Sequence, residues 1–292
     1  MSGKIGLVLE GGGMRGAYTA GVLDWLIEHD MPFDYVVGIS SGALYSGMYA
    51  LKNRKALFEA SVLVAADKRN VGSIPLRKEK TIVGYEFLYN TITQDIGFDV
   101  EALADVDGKV DIGVYDIEAQ KTVWVDNKRV AQFPKFLQAA CTLPIFGRKI
   151  KIDGRDYMDG GVTTMIPIEQ SVAAGCDKHL IVTTKSMDFV RKPQGFLQRN
   201  LLRFLYRKYP KLVQDFESRT DVYYKERDEI DALVAKEKAM YVFPSEEVGV
   251  SRFGGSQEQF ETLFNMAHED CDKIHDQLLE FFQSVKGSEW GV

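Results

Sequence analysis

Three turns in this 292-residue chain are built from residue types that can do chemistry. Gly38-Ile39-Ser40-Ser41-Gly42 has the form G-x-S-x-G. Small neighbours there let a sharp strand-to-helix turn project one hydroxyl, that of Ser40, as a nucleophile. The same residues also describe a plain turn with Ser40 as a helix cap. Gly11-Gly12-Gly13-Met14-Arg15-Gly16 offers successive backbone N–H groups that can converge on an anion. It satisfies the dinucleotide fingerprint G-x-G-x-x-G, and it also describes an oxyanion hole beside Ser40. The nucleotide reading wants an acidic residue at the end of the second strand. Asp34 stands at that strand's start, and the strand ends in Gly38-Ile39-Ser40. Asp159-Gly160-Gly161 sets a carboxylate before two glycines. It is either a candidate base or a hairpin-exit turn of the kind Asp153-Gly154 makes.

A nucleophilic serine needs a base. The chain has four histidines: His29 at a helix end, His179 at a strand start, and His268 and His275 seven apart on a C-terminal helix. None stands in a small-residue turn, so histidine is disfavoured as the base.

The elements that must position these turns read as follows. Ile5–Leu9 and Phe33–Val37 are apolar, β-forming runs, and Ala17–His29 and Ala43–Leu51 have helical spacing. The first 50 residues are thus a βαβα unit, which points to a parallel sheet in an α/β domain. Residues 52–100 read as a mixed surface excursion. Val110–Tyr115 and Thr122–Val125 are predicted strands, and Phe133–Cys141 a helix that stops before Pro144. Lys149–Ile152 and Arg155–Met158 form a hairpin, Ile166–Ala174 a helix and His179–Thr184 a buried strand. Asp215–Lys238 is a charged helix, Met240–Phe243 a strand and Gln257–Phe282 one long amphipathic helix.

Composition removes several classes. With 45% hydrophobic and 27% charged residues the chain is not of disordered type. A net charge of −6 and a pI near 5.4 argue against nucleic acid as partner. No apolar run approaches the ~18 residues of a spanning helix, and the N-terminal run is too short and wrongly flanked for a signal peptide. Three cysteines, Cys141, Cys176 and Cys271, lack metal or redox spacing and suit a reducing cytoplasm.

Taken in order, Gly11-Gly12-Gly13-Met14-Arg15-Gly16, Gly38-Ile39-Ser40-Ser41-Gly42 and Asp159-Gly160-Gly161 resemble the patatin-like phospholipase family. The block Ala140–Phe146 resembles the segment that precedes the family's D-G-G/A turn, and Val250-Ser251-Arg252-Phe253 the tail of a bacterial subset. The resemblance covers residues 4–185. It implies a three-layer α/β fold with a central, mainly parallel sheet flanked by helices. It implies a serine lipid acyl hydrolase working by a Ser–Asp dyad through an acyl-enzyme. Ser40 would be the nucleophile, Asp159 the proton acceptor, and Gly11, Gly12 and Gly13 the oxyanion donors, joined by the Ser41 N–H. Gly16, Gly38, Gly42, Gly160 and Gly161 support the turns, and Arg15 matches a basic position of the glycine loop. The scheme needs no metal and no cofactor. A lipid-binding pseudoenzyme and a nucleotide-binding module are the alternatives.

Composition shifts at about residue 188. Between Phe189 and Lys211 stand seven basic residues and no acidic one. Arg199, Arg203 and Arg207 recur every four residues, out of phase with Leu197, Leu201, Phe204 and Leu205. This is a basic amphipathic helix. It reads foremost as a cap helix whose apolar side covers the core, and otherwise as a face that meets anionic lipid, with Arg199, Arg203 and Arg207 as lipid contacts and a peripheral membrane location. Residues 1–187 are expected to form the catalytic core, and 188–292 a mainly helical cap and extension packed on it.

Overall fold

The computed structural model describes residues 3–287. Ile5–Leu9 forms β1, buried along its whole length, as an unbroken apolar run requires of a strand covered on both faces. The βαβα order follows with α1 (Gly16–Glu28), β2 (Tyr35–Ile39) and α2 (Ser41–Ala50). The excursion then holds α3 (Arg54–Phe58), which runs into a wide π turn at Glu59–Val64, then α4 (Ser73–Lys78) and α5 (Tyr85–Asn90), with a second π turn at Thr91–Asp95. Next come β3 (Lys109–Asp116), β4 (Lys121–Asp126), α6 (Asn127–Gln132), α7 (Lys135–Cys141), β5 (Ile150–Ile152), β6 (Arg155–Asp159), α8 (Ile168–Ala173) and β7 (Lys178–Val182). The C-terminal part adds α9 (Phe196–Leu205), α10 (Pro210–Glu217), α11 (Arg219–Val234), β8 (Ala239–Val242), α12 (Gln257–Lys273) and α13 (His275–Lys286).

The strands make one sheet in the order β5-β6-β3-β2-β1-β7-β8, with β4 on the other edge of β3. The pairs β3–β2, β2–β1, β1–β7 and β7–β8 are parallel; β4, β5 and β6 pair antiparallel. This is the mixed, mainly parallel sheet flanked by helices that the sequence implies.

Register decides where the site forms. β4 occupies one edge of β3 from Asp111 to Asp116. Both β2 and β6 must therefore use the opposite edge, where Ile39 pairs with Gly113 and Asp159 with Val114. The two strands run toward each other and meet end to end. The last residue of β6 is thereby delivered to the residue that follows β2.

The C-terminal part is tied into the same body. β8 extends the sheet beyond β7, and α12 lies along α1, with Phe260, Phe264 and Ala267 buried in the main core. Burying each such phenylalanine is worth about 1.5–3 kcal/mol. Trp25 Nε1 donates to Asp272 at 2.7 Å and the Tyr18 hydroxyl to the Phe243 carbonyl at 2.6 Å. Ser256 and Gln259 close a reciprocal capping box at the start of α12.

Four expectations are corrected. The charged helix expected over Asp215–Lys238 is broken at Ser218, where α10 gives way to α11, and ends at Val234. The helix after Pro167 starts at Ile168, because the proline fixes the turn that opens it. The single long C-terminal helix is two. The chain leaves helical geometry at Ile274, which lets Phe282 turn back onto Phe33 with ring centroids 5.0 Å apart. One straight helix of that length would run nearly 40 Å and leave the body. Finally, the apolar side of α9 does not cover the core. Leu202 alone is buried, while Phe196 is 80% exposed, Leu197 82% and Phe204 66%.

Candidate active site

Ser40 sits between the end of β2 and the start of α2 with φ 56° and ψ −123°, a region that L-residues rarely occupy. The strain is held from both sides. Ser40 O accepts from the Ala43 and Leu44 N–H groups of the first turn of α2, and the Cys141 thiol donates to the same carbonyl at 3.5 Å. Gly42 is needed because a Cβ there would stand 2.7 Å from the Leu9 carbonyl oxygen. Gly38 pairs with Leu9 on one side and Ile112 on the other.

The glycine loop follows β1 at the same edge. The Gly11 N–H donates to the Met165 carbonyl at 3.1 Å and the Gly12 N–H to Ser41 Oγ at 3.0 Å. The expectation that Gly11, Gly12 and Gly13 all donate to an oxyanion is thereby narrowed. The first two amides are spent on anchoring the loop, and the Gly13 N–H has no acceptor among the described residues. Gly13 takes φ +60°, and a Cβ there would meet the Arg252 carbonyl oxygen at 2.4 Å. The Ser41 N–H, at the first position of α2, has no intrahelical acceptor either. Gly16 opens α1 against Ser41. Arg15 turns away from the loop: its Nε donates to the Val250 carbonyl at 3.0 Å and its guanidinium lies over Phe189.

Asp159 is fully buried. Its N–H donates to the Thr142 carbonyl at 2.9 Å, and its Oδ1 accepts the Gly161 N–H at 2.7 Å. Oδ2 is buried and makes no hydrogen bond of full geometry, yet the Ser40 hydroxyl is close enough to favour the carboxylate. Burial dominates and lifts the Asp159 pKa to about 6, against the Gly161 N–H, the Ser40 hydroxyl and the positive charges of Arg219 and Arg252. Gly160 packs against the backbone of Gly113, which keeps β6 flush with β3.

Were Asp159 the base, it would accept a proton only when ionised. kcat/KM for a soluble ester is therefore expected to rise with pH through a midpoint near 6 and to level off above it, as a pH–rate profile would show. Stability has the opposite sign. A carboxyl raised from 3.8 to about 6 favours the fold while protonated, and that contribution fades as pH climbs between the two values.

Ser40 opens into a cleft of about 610 Å³, counting the part open to solvent. Its apolar wall includes Leu44, Tyr45, Val71, Val83, Leu88 and Leu143. A second cavity of about 300 Å³ shares Leu44, Tyr85, Leu88 and Cys141 with it and continues past Tyr89 and Ile92. Much of this lining comes from residues 52–100, read from sequence only as a surface excursion. A signal was present there, since Tyr85, Leu88, Tyr89 and Ile92 keep helical spacing on one face. Arg252 and Phe253 close the cleft from the C-terminal side, Phe253 with its ring 4.5 Å from that of Phe146.

The histidines stand elsewhere, and none lines the cleft. His29 stacks on Trp25 at 3.8 Å, with His275 against the same ring. His268 meets Asp24 at 3.0 Å. His179 hydrogen-bonds Ser171, and burial, then Lys238, lowers its pKa to about 4. Asp34 accepts the Ile5 N–H and the Lys286 ammonium at the far end of β2, where no ribose on the glycine loop would reach it. Arg199 and Arg203 share Glu217, at 3.6 and 2.8 Å, and Arg207 lies beside Phe204.

Residues 7–172 match the model of the patatin-like phospholipases, and residues 209–283 match a domain of unknown function, DUF6363. The uncharacterized protein YjjU of Escherichia coli is 26% identical over 203 residues, 66% of this chain and 56% of its own length. Lysophospholipase NTE1 of Scheffersomyces stipitis is 26% identical, over 63% of this chain and 12% of its own. NTE1 of Candida albicans is 25% identical, over 66% and 14%. The chain thus spans about half of the first relative and a small part of the other two. Among solved structures, VipD from Legionella pneumophila aligns with a TM-score of 0.45 at 12% identity, covering 97% of this chain and 67% of that one. The chain belongs to the patatin-like phospholipase family, whose model runs from inside β1 to the end of α8 and so takes in every turn that meets at Ser40.

Proposed function

We propose that this protein is a serine lipid acyl hydrolase that cleaves carboxylic esters of phospholipids or related lipids. The carrying observation is the end-to-end meeting of β2 and β6, which sets strained Ser40 beside buried Asp159 at an apolar cleft. In this reading Ser40 Oγ attacks the ester carbonyl while Asp159 accepts its proton. The Gly13 and Ser41 N–H groups stabilise the oxyanion. Asp159 returns the proton to the departing alkoxide, leaving an acyl group on Ser40. Water then attacks the acyl carbonyl, giving a proton to Asp159, which restores it to Ser40 Oγ as the fatty acid leaves. The apolar cleft and its inner extension suit an acyl chain, and the similarity to proteins named lysophospholipases supports a lipid ester. A fluorophosphonate is expected to label the wild type and to leave Ser40→Ala unlabelled. Equal labelling of both would overturn the assignment of the nucleophile.

The protein meets its substrate at a membrane surface through α9. Phe196, Leu197, Leu201, Phe204 and Leu205 stand exposed on one side of this helix, flanked by Arg207 and Lys208. Such a face lies in the headgroup region of an anionic bilayer. No helix among the described residues is long and apolar enough to cross a membrane. Flotation with anionic vesicles is expected to carry the wild type up. Leu197→Asp/Phe204→Asp should lose that association, and neutralising Arg199, Arg203 and Arg207 should remove its preference for anionic lipid. Unchanged flotation of both variants would refute docking through α9.

A further inference from the structure

Several guanidinium and ammonium groups elsewhere in the fold have carboxylate partners: Arg54 forks onto Asp24, Arg155 reaches Asp116, Arg203 reaches Glu217 and Lys286 reaches Asp34. Those around the cleft do not. Arg219, 5% exposed, donates to Met165 Sδ at 3.5 Å and lies over the Phe216 ring, while its Nε is buried with no acceptor. Its Nη2 stands 3.6 Å from the point where a Gly161 side chain would start, so the guanidinium flanks the Asp159 turn. Arg252 lines the cleft with Ser40 and Gly13, and its backbone carbonyl accepts the Met14 N–H at 3.1 Å. No carboxylate holds its guanidinium among the described residues. Arg191 lies over Tyr223, and Arg15 gives its Nε to a carbonyl.

These guanidinium groups are close enough to oppose one another. Burial, then Arg252, lowers Arg219; burial, then Arg191 and Arg15, brings Arg252 to about 10. Three carboxyl groups face the cluster, and two are already engaged. Glu10 is held by Lys185 and Thr184. Glu226 accepts the Met165 and Ile166 N–H groups, and burial lifts its pKa to about 8. Asp159 is the remaining one. A buried guanidinium without a partner, as at Arg219, is costly, and a half-buried one, as at Arg252, is partly desolvated; the planar fork of either matches the oxygens of a phosphate.

We propose that Arg252, carried to the cleft by the C-terminal segment 209–283 and backed by the enclosed charge of Arg219, forms an anion subsite beside Ser40 that takes the phosphate ester of a lipid head group. The lipid part of this assignment rests on the hydrolase reading; the anion site itself does not. The segment that matches a domain of unknown function would then select substrate, favouring phosphate-bearing lipids over neutral esters.

The test is calorimetric titration of Ser40→Ala with a short-chain monoacyl glycerophosphate below its micelle concentration, with the matching monoacylglycerol, and with inorganic phosphate. The glycerophosphate is expected to bind about 10- to 100-fold more tightly than the neutral lipid, the range of a charge-assisted contact. Adding Arg252→Ala should abolish that preference, and Arg252→Lys should keep part of it. Circular dichroism confirms that each variant is folded, and Arg252, at the cleft, is the variant chosen because Arg219 is fully enclosed. Inorganic phosphate should bind weakly and compete with the lipid. Equal affinity for the two lipids, or a preference that survives Arg252→Ala, overturns the subsite. Inorganic phosphate binding as tightly as the lipid overturns the head-group assignment. Turnover of both lipids by the wild type is measured separately: a phosphate preference without hydrolysis would sink the hydrolase reading and leave the subsite standing.

Discussion

Asp159→Asn is expected to lower ester turnover about 10³- to 10⁴-fold in a protein that folds normally. The substitution is nearly isosteric. The carbonyl oxygen of the new amide can still accept the Gly161 N–H that Oδ1 accepts now, so the turn keeps its shape. What disappears is the carboxylate that, in the proposed dyad, takes the Ser40 proton. Ser40→Ala removes the proposed nucleophile and should cost up to about 10⁶-fold. The four histidines supply the contrast. His29→Gln, His179→Gln, His268→Gln and His275→Gln, made singly, should keep activity of the same order, since each ring is engaged outside the cleft. Steady-state kinetics on a soluble ester checks all six variants. An active Asp159→Asn together with an inactive histidine variant would overturn the dyad.

Lys185→Met is expected to destabilise the fold by about 3–5 kcal/mol, read as a shifted denaturant midpoint. Glu10 is completely buried at the end of β1, immediately before the glycine loop. One carboxylate oxygen accepts the Thr184 N–H at 2.7 Å and the Thr184 hydroxyl at 3.0 Å; the other is held by the Lys185 ammonium, itself 4% exposed. Phe189 and Tyr223 flank that ammonium at 5.4 and 5.5 Å. Burial outweighs the pull of Glu10 and brings the Lys185 pKa down to about 8, so the pair as a whole adds little to stability. Breaking it is the costly event, because a lone buried carboxylate remains. The double variant Glu10→Gln/Lys185→Met should recover much of the loss, since no charge is then stranded. A single variant that loses less than about 1 kcal/mol would show that Glu10 finds water or a proton instead.

The pair has a consequence for the site. Glu10 ties the end of β1 to the residues after β7, which fixes where Gly11 begins. Gly11 then anchors on Met165, whose own N–H is held by Glu226 of α11. The glycine loop is thus positioned by ionisable side chains from three separate segments.

Much of the catalytic arrangement was legible in the residues themselves. The three small-residue turns, the strand before each and the helix after the first two are local features. A glycine cluster, a G-x-S-x-G and a D-G-G state their turn chemistry within a few positions. The βαβα opening followed from apolar runs and helical spacing, and those signals hold because one face or both of each element is buried. The expectation that histidine takes no part in the chemistry rests on where the four histidines fall.

Tertiary structure decided what depends on distant partners. No local pattern states that β2 and β6 share one edge of β3; that follows from β4 claiming the other edge, a pairing set by packing across the sheet. The periodicity of α9 showed two faces but not which one finds a neighbour, and the structure left its apolar face bare while Leu202 turned inward. The heptad-like stripe from Phe260 to Phe281 gave no sign of the break at Ile274, because both halves keep their apolar spacing and only the curvature of the body beneath them demands the bend. In the sequence Arg219 is one charged residue of a charged helix, and Arg252 is marked only as part of Val250-Ser251-Arg252-Phe253. Their place beside Asp159 exists only once the C-terminal part folds over the glycine loop, since charge neighbours are properties of a place in space rather than of a position in the chain.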